Sequence, residues 1–328
     1  MSHFTVLVVT KTGSPEEVET ELAPFHEFEC TGRNDEYVLD IDKTAEYRAE
    51  YEAATDKVMV NDLTGERVGY WDDRWYTERD HRGERERKPS PLEWSELEVP
   101  TKEAIPFFQY IIDNYGGNTT VDLEPDTDHD DFQYGYVVVD AAGEVLKAVR
   151  RTNPNAEWDW YVIGGRWEGM LRKIGAGSQV NTLRKNQLDI AGMERDAIEG
   201  ATAKWNFIRD NIIKGESWLT FEECDQDRER YWDQSVMKRF SEARTKQQVG
   251  FFLSLDDYRG TLESFVEKTR LSSFSAFAVL QDGEWMQRGD MGWWGCVSGE
   301  KADWNEQFRT IFDKIPDDAY ITVVDCHI

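Results

Sequence analysis

The chain has 328 residues, 39% of them hydrophobic and 13% aromatic, enough to bury a sizeable core without help from metals or disulfides. Its 65 acidic residues against 38 basic ones leave a formal net charge of −27, a field that repels phosphates and anionic lipid, so direct nucleic acid binding is disfavoured. Charges interrupt every apolar run well short of the roughly 20 residues a membrane-spanning helix needs, so no membrane partner is expected.

The first residues alternate as a strand from His3 to Val9, without a charged leader, and Ser14, Pro15 and Glu17 then supply an N-cap, a first-turn proline and a capping-box acid for a short helix ending near Pro24. A second helix is expected around Thr44 to Ala54. Two apolar runs between Lys57 and Tyr70 flank Asp62-Leu63-Thr64-Gly65 and read as a hairpin. The span of about 80–100 is rich in charge and proline and poor in apolar residues, and it reads as an exposed loop. Thr101 to Tyr115 reads as one helix closed by Gly116-Gly117, and Tyr134 to Arg150 as a hairpin turning at Ala142-Gly143. A strand from Trp158 to Ile163 precedes Gly164-Gly165-Arg166-Trp167.

From Ile190 the apolar positions Met193, Ala197, Ala201, Trp205, Ile208 and Ile212 recur every three or four residues, the signature of one helix face. Further helix is expected from Asp227 to Gln248 and from Asp256 to Arg270, the latter capped by Asp256. Phe274 to Leu280 and Trp285 to Arg288 flank an Asp282-Gly283 turn, a helix spans Trp304 to Lys314 before Pro316, and Tyr320 to His327 forms the closing strand. Strands thus sit at both ends with helices between them. The expected fold is α+β: a single domain over 1–328, with a mixed or antiparallel sheet that includes both terminal strands and a helical insertion at about 184–270.

The four cysteines, Cys30, Cys224, Cys296 and Cys326, are scattered and form no CxxC pair, which suits a reducing cytoplasm. Asp126, Asp128, Asp130 and Asp131 begin like a calcium loop, but Asp131 stands where the turn needs glycine and Val137 where a bidentate glutamate belongs. A solvated acidic loop is the better account. Gly164-Gly165-Arg166 after a strand can gather backbone N–H groups and a guanidinium around an anion, or it can be a tight hairpin with Arg166 stacked on Trp158 or Trp167. Trp293 and Trp294, between glycines, cannot both face one side of a strand, so either one of them is a candidate for recognition or both are core residues of an irregular segment. If the terminal strands pair antiparallel, His3, Cys326 and His327 approach one another as potential zinc ligands with Asp325 orienting one imidazole, although strand alternation sets Cys326 and His327 on opposite faces. No GxSxG, HExxH, SxxK or kinase signature occurs, and no cofactor is expected.

Several segments together carry a family likeness: Ser2-His3-Phe4-Thr5-Val6-Leu7-Val8, Leu22 to Glu27, Trp158-Asp159-Trp160-Tyr161 with Gly164-Gly165-Arg166-Trp167, Met291-Gly292-Trp293-Trp294-Gly295, and Thr322 to Ile328. The chain resembles a family of uncharacterised bacteriophage and prophage proteins, departing from its Asp-Ile-Asp-rich form at Leu188 to Met193. The resemblance implies a phage accessory factor acting in the host cytoplasm. The leading expectation is therefore a protein that inhibits a host defence protein through an acidic surface. The alternative is a small-ligand or nucleotide-binding protein, or a hydrolase, that uses Trp160, Gly164, Gly165, Arg166, Trp167, Trp293 and Trp294.

Overall fold

The computed structural model describes residues 2–27, 36–77, 84–89, 91–115, 120–121, 134–175, 178–250 and 253–328. The chain falls into two compact units, Pro24–Asp159 and a discontinuous one made of Met1–Ala23 with Trp160–Ile328. The fold is α+β, and the mixed sheet of the discontinuous unit includes both terminal strands.

In that sheet His3–Thr10 lies between Tyr320–His327, antiparallel, and Ala278–Gln281, parallel. Val6 pairs with Val324 and His3 with His327. Both central strands are near-continuous runs of apolar residues rather than alternating ones, because both of their faces are covered. Leu7, Val9, Ile321 and Val323 pack with Trp304, Phe308 and Phe312, which recur every four residues along the helix Trp304–Lys314. The helix Pro15–Leu22 packs on His3–Thr10 and Ala278–Gln281, burying Val18 and Leu22. On its far side Tyr320–His327 is shared by two short strands, Trp160–Ile163 along Val324–His327 and Thr182–Arg184 along Tyr320–Thr322. Between Ala278–Gln281 and Glu284–Gln287, Asp282 and Gly283 have φ of 53° and 76°, both in the left-handed region that a tight two-residue hairpin turn demands.

The helices of the middle region build a second core. Ile190–Ile208 continues as a wider π turn over Arg209–Ile213, and Trp205, Ile208 and Ile212 pack against Phe240, Leu255 and Tyr258. The unit Pro24–Asp159 holds a sheet in the order Leu39–Asp42, Val145–Thr152, Gly135–Val139, Thr120–Val121, and a three-stranded sheet centred on Thr55–Asn61. Tyr47, Tyr51, Phe107, Ile111, Val137 and Ala148 form its core. Among the described residues no helix is long and apolar enough to cross a membrane.

Several local expectations need correction. Thr101 to Tyr115 is two helices, Thr101–Ala104 and Phe107–Tyr115, because Pro106 forces Ile105 into extended backbone at φ −139° and ψ 151°. Part of the loop expected at about 80–100 is the strand Trp94–Pro100, paired along the full length of Thr55–Asn61. Its side chains are mostly exposed, so a low apolar content is no bar to backbone pairing. The helix expected from Asp256 starts instead at Leu262, capped by the Thr261 hydroxyl, which accepts from the Ser264 N–H at 3.2 Å. Extended backbone at Gln234 breaks the helix expected over 227–248 into Arg228–Asp233 and Ser235–Thr245. Ser14 caps the first helix, but Glu17 does not close a capping box: its carboxylate accepts from the Lys11 and Thr12 N–H groups at 2.9 and 2.7 Å. The acidic run Asp126 to Asp131 lies outside the described residues.

Candidate functional site

At the end of the sheet where His3–Thr10 begins and Tyr320–His327 ends, the face that is apolar at Leu7 and Val323 becomes polar. Alternation carries that face through Thr5 and His3 on one strand and Asp325 and His327 on its neighbour. Asp325 is only 3% exposed, and both of its oxygens accept hydrogen bonds. Oδ1 accepts from His3 Nδ1 at 2.9 Å and Oδ2 from the Arg166 backbone N–H at 2.9 Å. A carboxylate that only accepts places the imidazole proton on Nδ1 and turns the other ring nitrogen, Nε2, into the group offered elsewhere.

Three rings close around this pair. His327 stacks on Trp160, with centroids 4.9 Å apart and planes 17° from parallel, and His3 meets both edge-on at 5.0 and 5.2 Å. Trp160 is half-exposed and forms the outer wall of this group.

The Gly164 to Trp167 segment fits here because of its glycines. Gly164 has φ 78° and ψ −71°, and Gly165 has φ 52°. A Cβ on Gly165 would stand 2.4 Å from the Asp325 side chain, so only glycine lets the backbone approach closely enough for the Arg166 N–H to reach the carboxylate. The segment is the start of a 3-10 turn rather than a hairpin. The Arg166 side chain is exposed and, among the described residues of its own unit, does not stack on Trp167. Arg166 serves the pair through its main chain.

The Met291 to Gly295 segment is held at the same end of the sheet. Ser2, next to His3, donates from Oγ to the Gly292 carbonyl at 2.7 Å and accepts from the Gly295 N–H at 2.8 Å. Trp294 projects from this clamp at 83% exposure with φ 63° and ψ 21°, a left-handed conformation uncommon for a bulky residue. The Trp293 side chain lies outside the described part of the structure.

A cleft of about 460 Å3 opens beside His3, a size suited to a small ligand. Trp167 and Met291 line it, so the glycine-bounded segments border one space, and Arg288, Lys301, Ser272 and Asn305 complete the rim. Sequence reasoning missed these last four. They come from separate loops and helix ends, and none stands in a motif.

The zinc set proposed from sequence is only half assembled. His3 and His327 meet, but Cys326 is fully buried on the other face of the strand, paired with Phe4 and Tyr161. For the same reason Cys326 forms no nucleophilic pair with His3 or His327. Among the described residues no three His, Cys, Asp or Glu side chains are grouped as a metal site. No protein-family model, curated protein or solved structure matches the chain.

Proposed function

We propose that this chain binds a small molecule in the cleft beside His3, with Asp325 holding the imidazole so that Nε2 serves as the polar contact or proton acceptor. The observation that carries this reading is the fully buried Asp325 carboxylate, which spends one oxygen on His3 and the other on the Gly165–Arg166 turn next to a cleft of ligand size. A buried charge is costly unless it is fully hydrogen-bonded, and orienting a histidine at a cavity is a use for one. A ligand-detected fragment screen by NMR tests the reading with Ser272→Trp as the control, since Ser272 is an exposed residue on the cleft lining. Hits that vanish in Ser272→Trp are expected. A screen in which no hit responds to that substitution defeats the reading.

A second reading rests on the net charge of −27 and the resemblance to phage proteins: an accessory factor in the host cytoplasm whose acidic surface occupies a basic groove on a host defence protein. Trp294 would supply its aromatic anchor. Its test is recovery of one host protein in a stable, salt-sensitive complex that Trp294→Ala weakens. Recovery unaffected by salt and by Trp294→Ala counts against it.

A further inference from the structure

Resting on the small-molecule reading, the geometry points to a planar anion, a phosphate-bearing aromatic of mononucleotide size, as the ligand of the cleft beside His3. The argument starts from charge. The chain carries 65 acidic residues against 38 basic, yet the cleft lining holds Arg288, Lys301 and His3 against one acid, Glu300. Glu300 is already committed, accepting from Arg288 Nε at 2.7 Å. Lys301 donates from Nζ to the Gln287 carbonyl at 2.8 Å, and no carboxylate among the described residues lies within ion-pair distance of it. After the Arg288–Glu300 pair cancels, the lining keeps one uncompensated ammonium. An anion at Lys301 would meet this ammonium at contact distance, since the nearby Asp325 carboxylate is taken up by His3 and the Arg166 N–H, while charges farther away than about 8 Å are largely screened at physiological salt.

The walls argue for the rest of the ligand. Trp167 lines the same cleft, and Trp304, a core residue only 4% exposed, backs it, fixed by a hydrogen bond from Nε1 to the Ala276 carbonyl at 2.7 Å. Flat, rigid apolar walls match a flat ring. His3, with Nδ1 tied to Asp325, offers Nε2 to a hydroxyl or ring N–H of such a molecule. A phosphate at Lys301 and a ring against Trp167 would use each of these groups once.

The test is a titration of the full chain with AMP, adenosine and inorganic phosphate, read by calorimetry and by the phosphorus signal. AMP should bind at least tenfold more tightly than either adenosine or phosphate. Lys301→Gln should weaken AMP about tenfold, as loss of one charge-assisted contact does, and leave adenosine unchanged. AMP bound no better than adenosine, or unaffected by Lys301→Gln, removes the anionic part of the inference. Phosphate alone bound as tightly as AMP removes the planar part. Failure of all three probes in a protein whose fragment hits still respond to Ser272→Trp overturns this ligand class while sparing the cleft. Fragment hits insensitive to Ser272→Trp take the cleft down with it.

Discussion

A single methyl group at Gly165 should destabilise the unit containing the terminal strands by about 2.5–5 kcal/mol. Gly165 sits at φ +52°, and Cβ there would fall 2.4 Å from both Cβ and Oδ2 of Asp325, closer than real contacts come. Holding a residue with Cβ in left-handed backbone costs about 1–2 kcal/mol. Asp325 must then withdraw and lose the Arg166 N–H or the His3 bond, each a hydrogen bond to a charged group worth about 1.5–3 kcal/mol. One such loss added to the backbone cost gives the stated range. Urea unfolding of Gly165→Ala measures the total, and hydrogen exchange at the Val6 and Val324 amides assigns it to this unit. A double-mutant cycle separates the two parts: Asp325→Gly removes the three atoms nearest the new methyl. In that background Gly165→Ala should cost only the backbone share, about 1–2 kcal/mol. An equal cost in both backgrounds refutes the claim that the glycine exists to admit the carboxylate.

Phe308 is fully buried between the sheet and the helix that carries it, so Phe308→Ala should cost about 3–5 kcal/mol in the same unfolding assay; a loss below 1 kcal/mol would mean the core collapses around the gap. Trp294 is exposed and left-handed, so Trp294→Gly should leave stability unchanged or raise it by up to about 1 kcal/mol, and a clear loss in melting temperature would show that the ring packs on something. Glu223 has its carboxyl pulled down from 4.5 to about 2, first by the hydrogen bond from Arg259 and then by the Thr220 N–H. A depressed carboxyl pKa stabilises the fold fully above 4.5 and loses that contribution as pH falls toward 2. The acid titration of the helical signal should accordingly be flatter through this window in Glu223→Gln than in the parent, and identical profiles would discount the Arg259 contact.

Where the physics is local, the sequence is a sufficient guide. Tyr320–His327 is a run of β-branched and apolar residues bounded by a proline, and Asp282-Gly283 dictates its own turn, so both elements can be read directly. Antiparallel pairing of the terminal strands then brings His3 to Asp325 without further information. The split at Pro106 is equally local, but the strong amphipathic pattern around it conceals it. Trp94–Pro100 is harder, since its backbone partner lies some forty residues away and its side chains stay in water. The cleft is the least legible part. Lys301, Arg288, Ser272 and Asn305 acquire a common purpose only after loops distant in sequence meet, and the role of Arg166 belongs to its amide, which a one-letter code does not distinguish.

The discontinuous unit also orders events in time. During synthesis Pro24–Asp159 is complete and can close on itself long before the partner of the first strand has been made. His3 must wait for Asp325, an interval on the order of tens of seconds at ordinary elongation rates. Until Ala278–Gln281 is made the largely apolar strand His3–Thr10 has neither of its neighbours, and it is the segment a chaperone would need to shield. Because the His3–Asp325 bond joins residues 322 apart in the sequence, the candidate site forms only once Asp325 has been made. A nascent chain stalled before Tyr320 lacks the strand that carries Asp325 and has none of this chemistry.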